Sequence, residues 1–277
     1  MSFFDKFKKA KDKDKEAEKV SSRAVDAKTL HKNLSFTATE QYKLLRANLE
    51  FTLSQSEKCH VIGVTSSMRG EGKSTTAINL SYVLAEKGSK VVIIDGDLRI
   101  PSVAAKLQIE SKPGLTNLLI KEDIDFEKFK SDLLDNWYIV PAGDIPPNPS
   151  ELLGSDRMGE LLEELKEKFD YIVVDLPPVN IVSDALSISR FISGMVVVVR
   201  EEYTEKKELT HCMRQLSLSN VKVLGCVLNE TTSGNGAYSK RGYKKYYKRH
   251  YRNYYYNSYY YKTPKDKDET SSKENDK

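Results

Sequence analysis

Two apolar rhythms alternate along this chain. Short runs made almost wholly of apolar, often β-branched residues occur at residues 61–65, 91–94, 138–141, 171–174, 195–199 and 221–228. Such runs predict strands covered on both faces, because a strand with one wet face alternates apolar and polar positions. Between them lie stretches with helical spacing. Over residues 39–53 the apolar positions Leu44, Leu45, Leu49 and Leu53 recur at that spacing, with Thr39 as the expected cap. Residues 74–86 predict a helix stopped at Gly88, residues 156–168 an amphipathic helix, and residues 204–216 another. Residues 100–135 predict short helices broken at Pro101, Pro113 and Gly114, and residues 144–149 a proline-rich loop. This alternation predicts an α/β fold, a mainly parallel sheet with helices on both faces. Ligands of such sheets bind beyond the carboxyl ends of the strands.

Composition narrows the class. With 277 residues, 39% hydrophobic and 30% charged, the chain has room for one such domain with polar flanks. The first 35 residues open with a Lys/Asp/Glu-rich run through which no apolar period continues, and they predict a flexible arm. The longest apolar runs fall far short of the roughly 20 residues that span a bilayer. The N-terminus lacks the apolar stretch of a signal peptide, so the protein is expected in the cytosol. Cys59, Cys212 and Cys226 are odd in number and widely spaced. They predict reduced, buried thiols and no metal site.

The chemistry begins where the first strand ends. Ser67-Met68-Arg69-Gly70-Glu71-Gly72-Lys73-Ser74 lies between a strand and a helix, the context a phosphate-binding loop requires. Glycines let backbone N–H groups close around phosphate oxygens, and the helix N-terminus adds positive potential. Lys73 is placed to reach the outer phosphates and Ser74 to bind Mg²⁺. Ser67 stands where the motif usually has its first glycine. Carboxylates follow at two other strand ends. Asp175 closes the run at 171–174, and Asp95 and Asp97 close the run at 91–94. Two acids spaced by two residues point to one side of an extended chain, which suits one for the metal and one for the attacking group. Ser74, Asp95, Asp97 and Asp175 are therefore the candidate metal set.

Several longer segments resemble one family, the bacterial tyrosine kinases (BY-kinases) of capsular and exopolysaccharide synthesis. Ile93-Ile94-Asp95-Gly96-Asp97-Leu98-Arg99 resembles its second Walker-type motif, and Val173-Val174-Asp175-Leu176-Pro177-Pro178 its third. Pro147-Asn148-Pro149-Ser150-Glu151-Leu152-Leu153 and the segment from Glu40 to Asn48 are also similar. The resemblance implies a P-loop NTPase fold of the ParA/MinD-like branch that passes the γ-phosphate of ATP to tyrosine. It implies nucleotide contacts from Gly70, Glu71, Gly72, Lys73, Ser74, Thr75 and Asn229. It implies catalytic roles for Lys73, Asp95, Asp97, Asp175 and Arg99. Asp97 is then the candidate base, with the roles of Asp95 and Asp97 open to exchange. ATP and Mg²⁺ are the implied cofactors. The family's Glu-x-x-Arg-x-x-Arg ring contact reads Glu40, Lys43, Arg46 here, and lysine cannot form the bidentate contact of a guanidinium. The implied partners are other copies of the chain in a ring, a membrane-embedded polysaccharide co-polymerase whose cytosolic tail activates the kinase at the membrane's inner face, and a tyrosine phosphatase.

The C-terminal stretch carries the last signal. Of sixteen tyrosines, eleven lie in it: Tyr238, Tyr243, Tyr246, Tyr247, Tyr251, Tyr254, Tyr255, Tyr256, Tyr259, Tyr260 and Tyr261. Residues 238–262 also hold eight Lys or Arg and no acid. Taken alone, aromatics among basic residues suit stacking on nucleic acid. Behind a kinase-like domain they read as phosphoacceptors, and no nucleic-acid partner is expected. The expected organisation is an arm over 1–35, a kinase domain over 36–232 and a disordered acceptor tail over 233–277. Two rival classes remain: a partitioning or positioning ATPase whose basic tail touches DNA or membrane, and a non-catalytic scaffold. Met68 at the place of the first class's signature lysine opposes one. The intact Lys73 and its acids oppose the other.

Overall fold

Six strands form one sheet in the computed structural model, which describes residues 34–53, 57–120 and 124–230. The expected N-terminal arm to residue 33, the boundary near residue 232 and the eleven acceptor tyrosines lie outside the described residues. The strands are β1 (His60–Ser66), β2 (Val91–Asp95), β3 (Trp137–Val140), β4 (Tyr171–Asp175), β5 (Gly194–Arg200) and β6 (Val223–Asn229). Their order is β3-β2-β4-β1-β5-β6, and every pairing between them is parallel. Parallel register aligns the strand ends. Asp95 of β2 sits beside Asp175 of β4, and Val64 of β1 sits on the other side of Asp175.

Side chains alternate between two cores, as the pleat requires. Val91, Ile93, Ile62, Val64 and Val173 face helices α1 (Phe36–Thr52) and α2 (Lys73–Glu86). Val92, Ile94, Val61, Ile172 and Val174 face the opposite layer. Helices α4 (Leu115–Leu119), α6 (Asp156–Lys166) and α8 (Lys206–Leu218) contribute most of its helical side, joined by Leu153 and Ala185 from shorter helices. Short helices α3 (Val103–Leu107), α5 (Pro149–Leu153) and α7 (Asp184–Ser187) sit in the loops beyond the strand ends. The sequence pattern missed α5 and α7 because elements of five and four residues are too short to show a period.

Three local expectations are corrected. Helix α1 starts at Phe36, and the Ser35 hydroxyl, not Thr39, caps it by accepting from the Ala38 N–H. The helix in residues 204–216 begins at Lys206, leaving Thr204 free for the loop described below. Cys59 and Cys212 are buried, and burial pushes both thiols up to about 12. Cys226 is exposed, because β6 is the edge strand and is only partly covered. Among the described residues, no helix is long and apolar enough to cross a membrane.

The side chain of Leu162 on α6 is fully buried in the core on that face. Leu162→Ala should cost about 2–5 kcal/mol, read by urea unfolding through the fluorescence of the single tryptophan, Trp137. A loss under about 1 kcal/mol would contradict the packing described, being below the usual range for a leucine truncated in a tight core.

Candidate functional site

The loop between β1 and α2 turns on glycine. Gly72 has φ +94°, and a Cβ there would lie 2.0 Å from the amide nitrogen of Asn229. Only glycine satisfies both the left-handed backbone and the close approach. The Asn229 amide donates to the Glu71 carbonyl at 3.0 Å, so the end of β6 is fastened to the loop.

Glu71 was expected to contact nucleotide, but its carboxylate is turned into the loop and fully buried. It accepts from the Ser67 hydroxyl at 2.8 and 3.1 Å, from the Met68 N–H at 2.9 Å and from the Thr204 hydroxyl. Serine at position 67 is thereby explained: its hydroxyl satisfies a buried charge that glycine could not. What Glu71 offers a phosphate is its backbone. From outside, Arg200 donates to the Gly70 carbonyl at 3.0 Å and the Tyr203 hydroxyl to the Arg69 carbonyl at 3.1 Å. Sequence reasoning missed Arg200, Tyr203 and Thr204, which lie some 130 positions from the loop and carry no motif.

Lys73 opens α2 and reaches across to two other strand ends. Its ammonium lies 2.8 Å from Asp97 Oδ2, 3.5 Å from Asp175 Oδ1 and 3.2 Å from the Ser74 hydroxyl. Burial alone would lower its pKa, but the carboxylates of Asp175 and Asp97 more than offset that and hold the cation above its ordinary value. Asp95, Asp97, Asp175 and Ser74 are all buried. The structure thus brings the loop and all three predicted acids together.

The two acids of the β2 motif differ in what they hold. Asp95 spends both oxygens on backbone N–H groups: Oδ1 on Asp97 at 3.2 Å, Oδ2 on Ser102 at 3.0 Å and Val103 at 2.9 Å. Asp97 accepts the Ile100 N–H with Oδ1 and turns Oδ2 to Lys73. Arg99 points elsewhere. It forms a bidentate pair with Asp184 at 2.7 and 3.0 Å, and Ser150 also donates to that fully buried carboxylate. Asp184 joins the loops after β2, β3 and β4. Nothing in the sequence marked it, since its partner is 85 positions away.

The predicted ring residues serve α1 here. Lys43 pairs with Glu40 within the helix at 3.0 Å, and Arg46 donates to the Val83 carbonyl at 2.6 Å.

A hard cation with oxygen ligands fits this site. Asp175 Oδ2 is buried with no hydrogen-bond partner, an unused acceptor beside Ser74. Among the described residues, no group of three or more His, Cys, Asp or Glu could by itself hold a metal ion. Of the candidate set, Asp95 spends both oxygens on backbone N–H groups and Asp97 turns Oδ2 to Lys73, so Ser74 and Asp175 are the groups left to meet a cation, and Mg²⁺ needs only one or two protein oxygens. Thr75 lies one step along α2 from Ser74, in its first turn.

Comparisons with known proteins agree with this geometry. Residues 59–223 match a family model described as an AAA domain. The chain is 36% identical over 223 residues to tyrosine-protein kinase YwqD of Bacillus subtilis (strain 168), covering 80% of this chain and 92% of that one. It is similar to the solved kinase domain of Escherichia coli tyrosine kinase ETK, with a TM-score of 0.65 and 31% identity over 72% of this chain and 78% of that one. The septum site-determining protein MinD of Pyrococcus horikoshii OT3 shares the fold, with a TM-score of 0.52 and 25% identity over 64% of this chain and 72% of that one. The sheet is thus a P-loop NTPase sheet of the ParA/MinD-like branch.

Burial, then the nearby Asp175, raises the Asp95 carboxyl to about 7. An acid whose folded value exceeds its unfolded one, about 4, weakens the fold as pH rises from the lower value to the higher. Stability of the nucleotide-free protein should therefore fall across that window. Asp95→Asn cannot ionise and should lose less stability between about pH 5 and about pH 8, measured by denaturant titration at both. Equal losses in the two proteins would rule out Asp95 as the titrating group.

Proposed function

This chain belongs to the bacterial tyrosine-protein kinase family, and we propose that it phosphorylates the tyrosine cluster of its own C-terminal stretch, using Mg²⁺-ATP. The observation that carries this reading is the pairing of Lys73 with Asp97 and Asp175 at the mouth of a phosphate loop, in a chain that ends with eleven tyrosines among basic residues.

The division of labour follows from the contacts. Backbone N–H groups of residues 70–75 cradle the phosphates, and Asn229 keeps the loop shaped. Lys73 leaves its carboxylate partners to meet the outer phosphates. Ser74 and Asp175 hold Mg²⁺, which supplies charge neutralisation on the phosphates. Asp97, freed from Lys73, accepts the proton of the incoming tyrosine hydroxyl. The tyrosine oxygen bonds to the γ-phosphorus, the bond to the β-phosphate oxygen breaks, and ADP leaves. Asp95 shapes the loop that presents Asp97, and the pair Arg99–Asp184 holds the same loop from its other side.

Transfer runs between chains, because a long polar stretch reaches a neighbouring copy's site as readily as its own. Where copies form a ring, Glu40, Lys43 and Arg46 exchange their present contacts, Lys43 with Glu40 and Arg46 with the Val83 carbonyl, for contacts to a neighbour. A membrane-embedded co-polymerase activates the kinase through its cytosolic tail and draws it to the inner face of the membrane, a tyrosine phosphatase resets it, and the cycle controls polysaccharide synthesis and export.

Lys73→Met should abolish phosphotyrosine formation. Mixed with an isotope-labelled active chain, the Lys73→Met chain should acquire phosphotyrosine in residues 238–261, read by mass spectrometry. A Lys73→Met chain that stays free of phosphotyrosine while the active chain is fully phosphorylated would refute transfer between chains.

Asp97→Asn should slow transfer by about 10²–10⁴-fold with nucleotide affinity changed only modestly, measured by phosphotransfer rate and by fluorescent-nucleotide titration. Normal turnover in this variant would remove Asp97 from the role of base.

A further inference from the structure

Five tyrosines lie among the described residues, and four have little to offer a second active site. Tyr82 and Tyr138 are buried, at 7% and 5% exposure, and Tyr42 and Tyr171 are partly covered. Tyr203 is different, at 52% exposure, in the turn between β5 and α8. Its hydroxyl donates to the Arg69 carbonyl of the phosphate loop at 3.1 Å. Its ring lies under the Arg200 guanidinium, 4.9 Å from the centroid. The same guanidinium donates to the Gly70 carbonyl at 3.0 Å and pairs with Glu230 at 2.6 Å.

We propose that Tyr203 is a further phosphoacceptor, modified by another copy of this kinase, and that its phosphate loosens the phosphate loop and weakens nucleotide binding. The inference rests on the tyrosine-kinase reading above. The step balances as it does for the tail: the Tyr203 oxygen bonds to the γ-phosphorus of ATP, the β–γ bridge breaks, ADP leaves, and the hydroxyl proton passes to the donor copy's base. Opening the site for this requires breaking one solvent-accessible hydrogen bond, a small cost.

The consequence follows from the same contacts. A phosphotyrosine has lost the proton it donated, so the bond to Arg69 goes. The new group carries about −1.5 to −2 charge and faces that carbonyl's lone pairs. Arg200, already over the ring, turns to the phosphate and leaves Gly70. Both outer hydrogen bonds on the loop disappear together. A dianion then stands at the rim of a site built to receive ATP phosphates.

Sequence context sets the order of events. Glu201, Glu202 and Glu205 flank Tyr203, whereas Lys and Arg surround the tail tyrosines. A reacting site containing three aspartates and a triphosphate disfavours an acidic acceptor. Tyr203 is therefore the slow acceptor, labelled after the tail, and its modification acts as a delayed brake.

The test uses two full-length chains, the wild type and a chain with all eleven tail tyrosines changed to Phe. The wild type is incubated with Mg²⁺-ATP and its phosphopeptides are followed in time. Phosphate is expected first in residues 238–261 and later on Tyr203. The Phe-substituted chain is then phosphorylated by catalytic wild type, separated, and titrated with fluorescent nucleotide before and after treatment with a tyrosine phosphatase. Affinity about tenfold weaker in the phosphorylated form is expected, the scale on which two modest outer hydrogen bonds and a nearby dianion act at the rim of the site. A labelled tail with unlabelled Tyr203 would overturn the inference and leave the kinase reading intact. Phosphorylated Tyr203 with unchanged affinity would overturn it as well. Absence of phosphotyrosine everywhere would overturn the kinase reading, and this inference with it.

Discussion

A buried ammonium between two buried carboxylates is the constraint around which this molecule is arranged. Lys73 sits out of water, where an unpaired charge is untenable, and is stable only because Asp97 and Asp175 approach to 2.8 and 3.5 Å. Removing one member of such a cluster costs about 3–5 kcal/mol, since the others are left uncompensated. The three residues come from three different strand ends. Their meeting requires β1, β2 and β4 to be adjacent, parallel and in register, and the order of the sheet provides this. The same charges are in the place where a triphosphate arrives, so the nucleotide replaces one set of counter-ions with another.

Carboxylates that look alike in the sequence divide into those whose oxygens the fold consumes and those it leaves open. Asp95 has both oxygens committed to three backbone N–H groups. Glu71 has its charge satisfied by two hydroxyls and an N–H inside the loop. Asp184 is matched by the fork of Arg99 and by Ser150. These groups are acceptors already in use, and they stiffen the segments that carry them. Asp97 gives one oxygen to the Ile100 N–H and turns the other to Lys73, while Asp175 faces Lys73 with one oxygen and keeps the other unpartnered.

The phosphate loop is also held from outside, by the turn after β5 and the end of β6. Arg200, Tyr203, Thr204 and Asn229 fasten Gly70, Arg69 and Glu71 through hydrogen bonds to carbonyls and to one carboxylate. A glycine-rich loop gains conformational freedom from its glycines and therefore needs such fastening to keep its N–H groups aimed. This bracing is half-exposed where Arg200 and Tyr203 take part, which is why a change of charge on this rim would be felt in the loop.

The sequence by itself determined the layered fold, because apolar runs of strand length between helical periods have one stable solution, a parallel sheet covered on both faces. It also marked the loop and its acids: Lys73, Ser74, Asp95, Asp97 and Asp175 each sit at or just past a strand end or at a helix start, positions that local pattern singles out. Tertiary structure alone decided which partners each acid has. Asp95 and Asp97 are equivalent two residues apart at a strand end, and only the fold of residues 97–103 back over Asp95 consumes its oxygens and leaves Asp97 Oδ2 for Lys73. It alone turned Glu71 inward, sent Arg99 to Asp184 and set Tyr203 on the loop. Those contacts join residues 85 or more positions apart, or depend on which way a side chain turns, and no periodicity or spacing records either.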